Sequence, residues 1–451
     1  MNKPFVITIC CLLSWICAVC GFAGSVSKTV LPNGLTVLIK PEPGSGIVAV
    51  DAFVRAGQAE ERPPLAGIGN LVARTLMTST LNNSTERLAN AIDEVGGNFQ
   101  TVWNADFTEL RVITTSANFE DATRIIGEIL SNATFPERSF EEARKAVLEE
   151  IHQSGDDVFG QAYLNSVKML YKDNAYGRPL SGESLTLRKL TREDALSFYK
   201  QYFVPNNTVI AIVGDVTEER AAEAARMAFA GARLTPLPIR RTIPDEELES
   251  IKSQVLQRDI PAAYVLVGYL APGMTNPDYR AFTVVTALLG GGKASRLFRN
   301  IRDKHGIGYD LGVLYPLRAN QSHIVLYVSV DARRFESAGA SGGLGIDELR
   351  KLLIQQVDAV KEGNFTDTEL QRAKNYAAGS WLLRHQRAAD RAYLLGSMEA
   401  MGLGYQFDAD LDAKIEAVTS EDLRKVCEKY FNNYCVEVVV PNSTEAEEKQ
   451  E

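Results

Sequence analysis

TREDAL at residues 191–196 recurs as TSEDLR at residues 419–424, and these two stretches decide the fold. In both, a threonine that can cap a helix precedes glutamate and aspartate in the first turn, where negative charge stabilises the helix N-terminus. Both predicted helices reach a Tyr-Phe pair, at 202–203 and at 430–431, and an apolar strand follows. A repeat of this size indicates two copies of one domain rather than a solenoid of short units.

The two copies predict an α+β fold of two homologous domains, each with a mixed or antiparallel sheet packed against helices. We expect an N-terminal domain at 24–233, a polar, proline-containing linker at 234–249 and a C-terminal domain at 250–445. The runs 48–57 and 264–273 share one pattern and predict equivalent strands. The two domains together would form one clam-shell half.

The N-terminus has the layout of a secretory signal peptide. Lys3 precedes an apolar run from Phe5 to Val19, and small residues then permit cleavage after Ala23. We therefore expect residues 1–23 to be removed and the mature protein to be secreted or periplasmic. A retained membrane anchor is the alternative, although the apolar run is short for a membrane span. We expect no membrane span in the mature chain.

Charge and cysteine content limit the partners and the crosslinks. The net charge of -9 and the sequence pI of about 5.3 argue against a nucleic-acid partner, which requires a clustered basic face. Of the six cysteines, only Cys427 and Cys435 lie beyond the predicted signal peptide. They can pair in an oxidising compartment, but two buried free thiols fit the sequence equally well.

The stretch from Leu288 to Tyr309, LLGGGKASRLFRNIRDKHGIGY, is the first candidate for function. Its three glycines, 290–292, stop one apolar helical run, and a second amphipathic run starts at Ser295. The second helix is expected to end at the glycines at 306 and 308, with Arg302 on its last turn and Tyr309 just past it. A guanidinium and a phenol in one cleft could bind a peptide carboxylate or carbonyl.

Seven motifs, in order, carry a resemblance to a known family. They are Leu31-Pro-Asn-Gly-Leu, Ala66-Gly-Ile-Gly, Gly96-Gly-Asn, Val147-Leu-Glu-Glu-Ile151, Tyr176-Gly-Arg-Pro179, the run PNNTVIAIVGD at 205–215, and Gly290-Gly-Gly-x-x-Ser-Arg-Leu-Phe298. Together they resemble the insulinase, or pitrilysin-type, metallopeptidase family over nearly the whole mature chain. The order and spacing of the set make the resemblance specific, although each motif alone is weak.

The resemblance implies that the zinc site of this family has been lost here. Active members carry His-x-x-Glu-His on a helix, and the matching positions in this sequence are Asn70, Ala73 and Arg74. The third family ligand matches at Glu150, but a lone carboxylate makes no zinc site. The supporting acid of that helix falls at Ala143. We therefore expect no metal in this chain and find no other catalytic constellation.

Arg74 lies where a metal ligand would face Glu150. Its guanidinium could supply the positive charge that zinc otherwise brings, and we predict a buried Arg74–Glu150 ion pair. Alternatively, Arg74 points to solvent.

The family also uses an Arg and a Tyr, supplied by the other domain, to bind substrate near the scissile bond, and the resemblance places them at Arg302 and Tyr309. A chain that lacks the metal ligands and keeps this pair resembles the non-catalytic member of two-subunit enzymes of the family. It would contribute the pair in trans to a homologous subunit that binds zinc, and the ligands would be peptides.

A second function from a different class stays open. The same fold could serve as a peptide-binding or structural scaffold with no proteolytic role. The predicted strand at 99–102, next to the helix that would hold the metal, could bind a peptide by adding a strand to the sheet, although an ordinary buried strand has the same pattern.

Overall fold

The computed structural model describes residues 25–172, 174–238, 245–308, 310–331 and 345–442. The predicted signal peptide and Tyr309 lie outside these ranges. The strands are β1 (Ser27–Val30), β2 (Thr36–Pro41), β3 (Ile47–Val54), β4 (Asn98–Trp103), β5 (Thr108–Thr115), β6 (Thr208–Gly214), β7 (Lys252–Arg258), β8 (Ala262–Ala271), β9 (Leu311–Leu314), β10 (Ser322–Asp331) and β11 (Cys435–Pro441).

The helices differ widely in length, from one turn to almost five. They are α1 (Ile68–Thr75), α2 (Thr85–Val95), α3 (Phe119–Asn132), α4 (Glu137–Gln153), α5 (Val158–Leu170), α6 (Ser184–Leu187), α7 (Arg192–Tyr202), α8 (Glu218–Ala228), α9 (Tyr279–Gly290), α10 (Ile346–Lys361), α11 (Asp367–Leu382), α12 (Ala388–Ala400), α13 (Leu411–Glu416) and α14 (Ser420–Tyr430). A π-helix spans Phe298–Asp303 between α9 and β9.

The strands form two sheets of the same plan. The first sheet has the order β1-β2-β6-β3-β5-β4 and the second β7-β11-β8-β10-β9. Each sheet has one parallel pair, β2 with β6 and β7 with β11, and its other pairs are antiparallel. The two mixed sheets confirm the predicted α+β fold of two homologous domains.

The repeated helix starts form as the sequence predicts. Thr191 caps α7 and Thr419 caps α14, each through a capping box with the aspartate three residues later. The two strands that follow, β6 and β11, are almost fully buried. Local hydrogen bonds therefore set the same element boundaries in both halves.

Each half supplies a helix to the sheet of the other. Helix α5, from the N-terminal half, packs on β8 and β11 of the second sheet. Helix α12, from the C-terminal half, packs on β3 and β6 of the first sheet. On α5, the amide of Asn165 donates to the buried carboxylate of Glu437 at 3.0 Å. On α12, Arg391 forms an ion pair with Glu42 of the first half. Because each sheet needs a helix from the other half to bury its second face, the halves form one packed unit.

Both remaining cysteines are buried free thiols. Of the two alternatives left open by the sequence, a disulfide or two buried thiols, the structure has the second. Cys427 lies in α14 and Cys435 begins β11. Burial raises the pKa of each thiol to about 12. Within the described ranges, the structure has no helix that is long and apolar enough to cross a membrane.

Candidate functional site

The helix α1, which carries the positions predicted to match the zinc motif, starts at an anchored turn. Gly67 precedes it with a left-handed φ of 96°, a conformation that glycine adopts without strain. The carboxylate of Glu61 accepts hydrogen bonds from the backbone N–H groups of Gly67 at 3.1 Å and Gly69 at 2.9 Å. Burial raises the pKa of Glu61 to about 7, and the two N–H donors oppose that rise. The start of α1 is thereby fixed relative to the preceding loop.

Three of the four residues at the predicted zinc-site positions contact one another at α1. The guanidinium of Arg74 donates from Nη1 to Oε1 of Glu150 at 2.8 Å and from Nη2 to Oε2 at 2.6 Å. Its Nε donates to the Oδ1 of Asn70, one turn earlier in α1, at 3.1 Å. The amide nitrogen of Asn70 donates in turn to the carbonyl of Ser181 at 3.3 Å. The predicted Arg74–Glu150 pair therefore forms, with bidentate geometry.

The predicted burial of this pair is wrong. The side chain of Arg74 is 37% exposed and that of Glu150 is 52% exposed. Glu150 lies in the last turn of α4, and only Phe140 and Val147 of that helix are buried. Because the two helix ends meet at the surface, water reaches both charges, and the pair belongs to the class of exposed ion pairs.

The donor set around Arg74 does not fit zinc. Zinc sites in proteins use Cys, His and carboxylate ligands. Here Glu150 is the one such ligand among the four positions, Ala73 is buried with no ligating atom, and Asn70 uses its amide on Arg74 and Ser181. The guanidinium of Arg74 forms an ion pair with the carboxylate of Glu150, the group that would otherwise be expected to face a metal. No group of three or more His, Cys, Asp or Glu residues in the described chain could hold a metal ion.

The strand β4 lies beside this site and at the edge of the first sheet. It pairs with β5 on one side and is the last strand in the order. It also contacts α1, where the ring of Trp103 lies so close to Gly69 that a Cβ there would sit 1.9 Å from the ring. All its residues are at least partly exposed. The sequence left the position of this strand open, and the structure places it at the edge.

Arg302 lies on the π-helix of the second half. That helix continues to His305, and Gly306 closes it with a left-handed φ of 65° and an N–H that donates to the carbonyl of Arg302 at 2.8 Å. The guanidinium stacks over the ring of Phe298 at 5.2 Å from its centroid. Arg302 lines an open cleft of about 590 Å³ whose described walls come from residues 302–331. The cleft shared with Tyr309 stays a prediction, because Tyr309 lies outside the described residues.

Sequence reasoning missed two contributors to these sites. Glu61 anchors the start of α1, and an acid shortly before a glycine-led helix is a weak signal for that role. Asn70 is more than an empty ligand position, because its side chain orients Arg74. The spacing of one helical turn between Asn70 and Arg74 does predict such a contact.

Two descriptions of protein families match this sequence. "Insulinase (Peptidase family M16)" matches residues 36–184, and "Peptidase M16 inactive domain" matches residues 189–376. The chain belongs to the M16 peptidase family. The resemblance that the seven motifs carry is thereby confirmed, and the second match falls on the half that contains Arg302.

Relatives of this M16 chain include proteins named as zinc proteases. An uncharacterized zinc protease of Streptomyces coelicolor is 26% identical over 417 residues, covering 89% of this chain and 86% of the relative. The zinc protease PqqE of Helicobacter pylori is 22% identical over 418 residues, covering 90% of both chains. The M16 chain therefore aligns with these relatives over nearly its whole length.

Solved structures share the fold. A protease from Helicobacter pylori superposes with a TM-score of 0.83 at 20% identity, covering 93% of this chain and all of that one. A peptidase M16 inactive domain from Pseudomonas fluorescens gives a TM-score of 0.83 at 19% identity, with 93% and 98% covered. These matches confirm the fold expected for this M16 chain, a clam-shell half of two αβ domains.

Proposed function

We propose that this chain is the non-catalytic partner subunit of a heteromeric zinc metallopeptidase and contributes Arg302 and Tyr309 in trans. One observation supports the proposal: an arginine–glutamate ion pair forms at the predicted zinc-ligand positions, while Arg302 is exposed and lines a cleft of the second half. A chain with this arrangement can bind substrate but cannot activate water through a metal of its own.

Arg302 and Tyr309 have complementary roles in the proposed assembly. The planar guanidinium of Arg302 offers several fixed donors to a peptide carbonyl or carboxylate. The phenol of Tyr309 donates a hydrogen bond to the oxyanion that develops during hydrolysis. Zinc, bound by the homologous subunit, supplies the Lewis acid and the activated water. The residues of this chain position the peptide for that step.

The proposed substrate is an extended peptide. Within the described chain, β4 pairs with a strand on one side only, so a peptide can add to the sheet as a further strand. In such binding, hydrogen bonds to the peptide backbone provide most of the affinity, and contacts with alternate side chains provide specificity. It therefore suits unfolded segments of varied sequence.

The decisive experiment is reconstitution with a homologous subunit that carries His-x-x-Glu-His. The two chains are co-purified, and cleavage of a fluorogenic peptide is measured with Arg302→Ala and Tyr309→Phe. We expect each change to lower kcat/KM by about 10²-fold, the usual effect of losing one transition-state donor. Arg299→Ala is the matched control, because Arg299 is exposed on the same helix but does not line the cleft. Unchanged turnover in both variants would exclude the role in trans.

A peptide-binding or structural scaffold without proteolytic role is the second candidate. The open edge of β4 favours it, because binding there needs neither a metal nor a partner. Affinity purification from the native host separates the two functions: recovery of a chain with an intact zinc motif supports the partner subunit, and peptide binding without any such chain supports the scaffold.

The site of action is proposed to be the periplasm or the extracellular space, since the N-terminus reads as a signal peptide. N-terminal sequencing of the protein isolated from its host tests this. A mature chain that starts near residue 24 agrees with export, whereas an intact Met1 contradicts it.

A further inference from the structure

A buried acid lies in the joint between the two halves. Asp51 stands in the middle of β3, which pairs with β5 on one side and β6 on the other. Because side chains alternate along a strand, it shares a face with Ala49 and Phe53, and α12 of the C-terminal half covers that face. Asp51 is 0% exposed, and among the described residues neither of its carboxylate oxygens has a hydrogen-bond partner. Its carboxylate is therefore cut off from water without a donor in exchange.

Helix α12 lies very close to the sheet beside this acid. A Cβ on Gly396 of α12 would lie 2.2 Å from Cε2 of Phe53 and 3.2 Å from Cβ of Ala211, which pairs with Asp51 in β6. Almost one turn earlier in the helix, the ring of Tyr393 meets that of Phe53 edge-on, with 5.9 Å between the ring centroids. Side chains packed at this density exclude water from the face of the sheet around Asp51.

The charges around Asp51 increase the cost of ionising it. Arg111 lies opposite it in the register of β3 and β5, but the guanidinium donates from Nε to Oε1 of Gln100 at 3.1 Å. Its Nη1 lies 3.5 Å from Oε1 of Glu109, a second acid on the same face, which is 1% exposed. Glu109 and Asp390 of α12 act on Asp51 with like charge. The strand β6 contains no charged residue, so Asp51 faces two acids and one cation that makes no hydrogen bond to it.

Both acids retain their protons to a higher pH while α12 covers them. Burial, followed by the charge of Glu109, raises the pKa of Asp51 well above its ordinary value, and Arg111 opposes the rise. Burial raises the pKa of Glu109 to about 7. Tyr393 stays neutral, since burial raises its pKa to about 12. When α12 leaves, water reaches both carboxyls and their pKa values return toward the ordinary range. The docked state therefore binds more protons than the released state, and docking weakens as the pH rises.

One ion pair holds α12 with the opposite dependence on pH. Arg391 of α12 pairs with Glu42, which follows β2. Burial alone would raise the pKa of Glu42, but hydrogen bonds from Arg391 and Lys40 lower it overall, below its ordinary value of 4.5. This pair is therefore charged throughout the range in which the two buried acids lose their protons. Any decline of docking near neutral pH comes from Asp51 and Glu109.

We propose that Asp51, assisted by Glu109, is a proton-controlled latch that joins the two halves of the chain. With its proton, Asp51 permits α12 to lie on the first sheet. Without it, the buried charge drives α12 away from β3, and water enters the joint. The sheet stays intact during release, because the backbone of β3 is hydrogen-bonded to β5 and β6 and not to α12. The latch goes beyond the proposed function and needs no zinc-bearing subunit.

Hydrogen exchange of this chain alone, followed by mass spectrometry, measures the release of α12. Protection factors, corrected for the intrinsic effect of pH on exchange, are compared between pH 6 and pH 8 for residues 388–400 of α12 and 279–290 of α9. In the wild type we expect the protection of 388–400 to fall by up to about tenfold per pH unit for each acid that ionises. The protection of 279–290 should fall less, because α9 does not pack on the first sheet.

Two variants identify the acids responsible. Asp51→Asn and Glu109→Gln each replace one buried carboxyl by a group that cannot ionise, and each should reduce the decline for α12 by up to about tenfold per pH unit. Slopes within one protein are compared, so a constant loss of stability in a variant cancels. Asp93→Asn replaces an exposed carboxyl on α2 and, as the control, keeps the wild-type slope.

Equal slopes in the wild type, Asp51→Asn and Glu109→Gln overturn the latch. So does an equal loss of protection in the two wild-type segments, because the whole chain then opens rather than α12 alone. The comparison of these two segments decides the matter even where a variant does not fold.

Discussion

Arg74 and Glu150 join α1 to α4 through two parallel hydrogen bonds, Nη1 to Oε1 at 2.8 Å and Nη2 to Oε2 at 2.6 Å. The two residues are far apart in sequence, and the motif resemblance predicts that they stand at metal-ligand positions of active family members. The guanidinium thus binds the Glu150 carboxylate at a surface that water reaches.

The exposure of this pair predicts a small effect on stability. Replacing Arg74 by Ala, Glu150 by Ala, or both, should change the free energy of unfolding by less than about 1 kcal/mol, because exposed ion pairs contribute little. Urea denaturation of the four chains gives the coupling energy directly. A coupling of several kcal/mol would show that the pair is shielded from water in solution.

Restoring two histidines should restore zinc binding. In Asn70→His/Arg74→His, two imidazoles one helical turn apart face the freed carboxylate of Glu150, which makes a three-ligand site. We expect one zinc per chain by metal analysis after dialysis, against none for the wild type. Adding Glu150→Gln should lower the affinity, and a double-histidine variant without zinc would mean that α1 and α4 are held too far apart.

Gly69 should not tolerate a side chain. A Cβ at this position would lie 1.9 Å from the Trp103 ring, so Gly69→Ala must displace either the ring or the helix α1 from β4. We expect a loss of roughly 1–3 kcal/mol in the free energy of unfolding. Gly155→Ala is the control, because a Cβ there meets no atom within 4 Å. Similar stability for both variants would contradict the packing of Trp103 on α1.

Glu437 should make the protein less stable as the pH rises from about 4.5 to 7. Burial raises the pKa of its carboxyl to about 7, above the ordinary value of 4.5, so over this range the folded state binds more protons than the unfolded state. The contribution of Glu437 to the free energy of unfolding therefore falls as the pH rises, by on the order of 3 kcal/mol for such a shift, and levels off above the folded-state pKa.

Glu437→Gln tests this contribution because it keeps the acceptor for Asn165 and cannot ionise. Urea denaturation at pH 5, 6, 7 and 8 should show a shallower decline for the variant than for the wild type. Glu61 and Glu109 have pKa values raised in the same direction, so part of the decline remains. Parallel curves for the two proteins would contradict the shift at Glu437.

The buried thiols predict slow reaction with thiol reagents. In a chain without residues 1–23, Cys427 and Cys435 should resist modification in the native state, because burial blocks access and raises both pKa values to about 12. Two thiols should appear upon unfolding in guanidinium. Fewer than two would indicate a crosslink formed in solution.

Local patterns in the sequence were sufficient to predict much of the architecture. The capping boxes at Thr191 and Thr419 need only the aspartate three residues later, so the helix starts and the repeat can be predicted from short stretches. The prediction that Asn70, Ala73 and Arg74 stand where active members carry the zinc motif likewise needs only residue identity and motif spacing. The Arg74–Glu150 ion pair could also be predicted from the positions of the two motifs alone.

Only the tertiary structure decided burial and pairing between distant elements. An amphipathic pattern shows that α5 and α12 bury one face, but not that each covers the sheet of the other half. The same limit made the predicted burial of Arg74 and Glu150 wrong. The periodicity of a helix can be found in its own sequence. The exposure of a side chain depends instead on which distant elements pack around it, and the spacing of residues in the sequence does not show this.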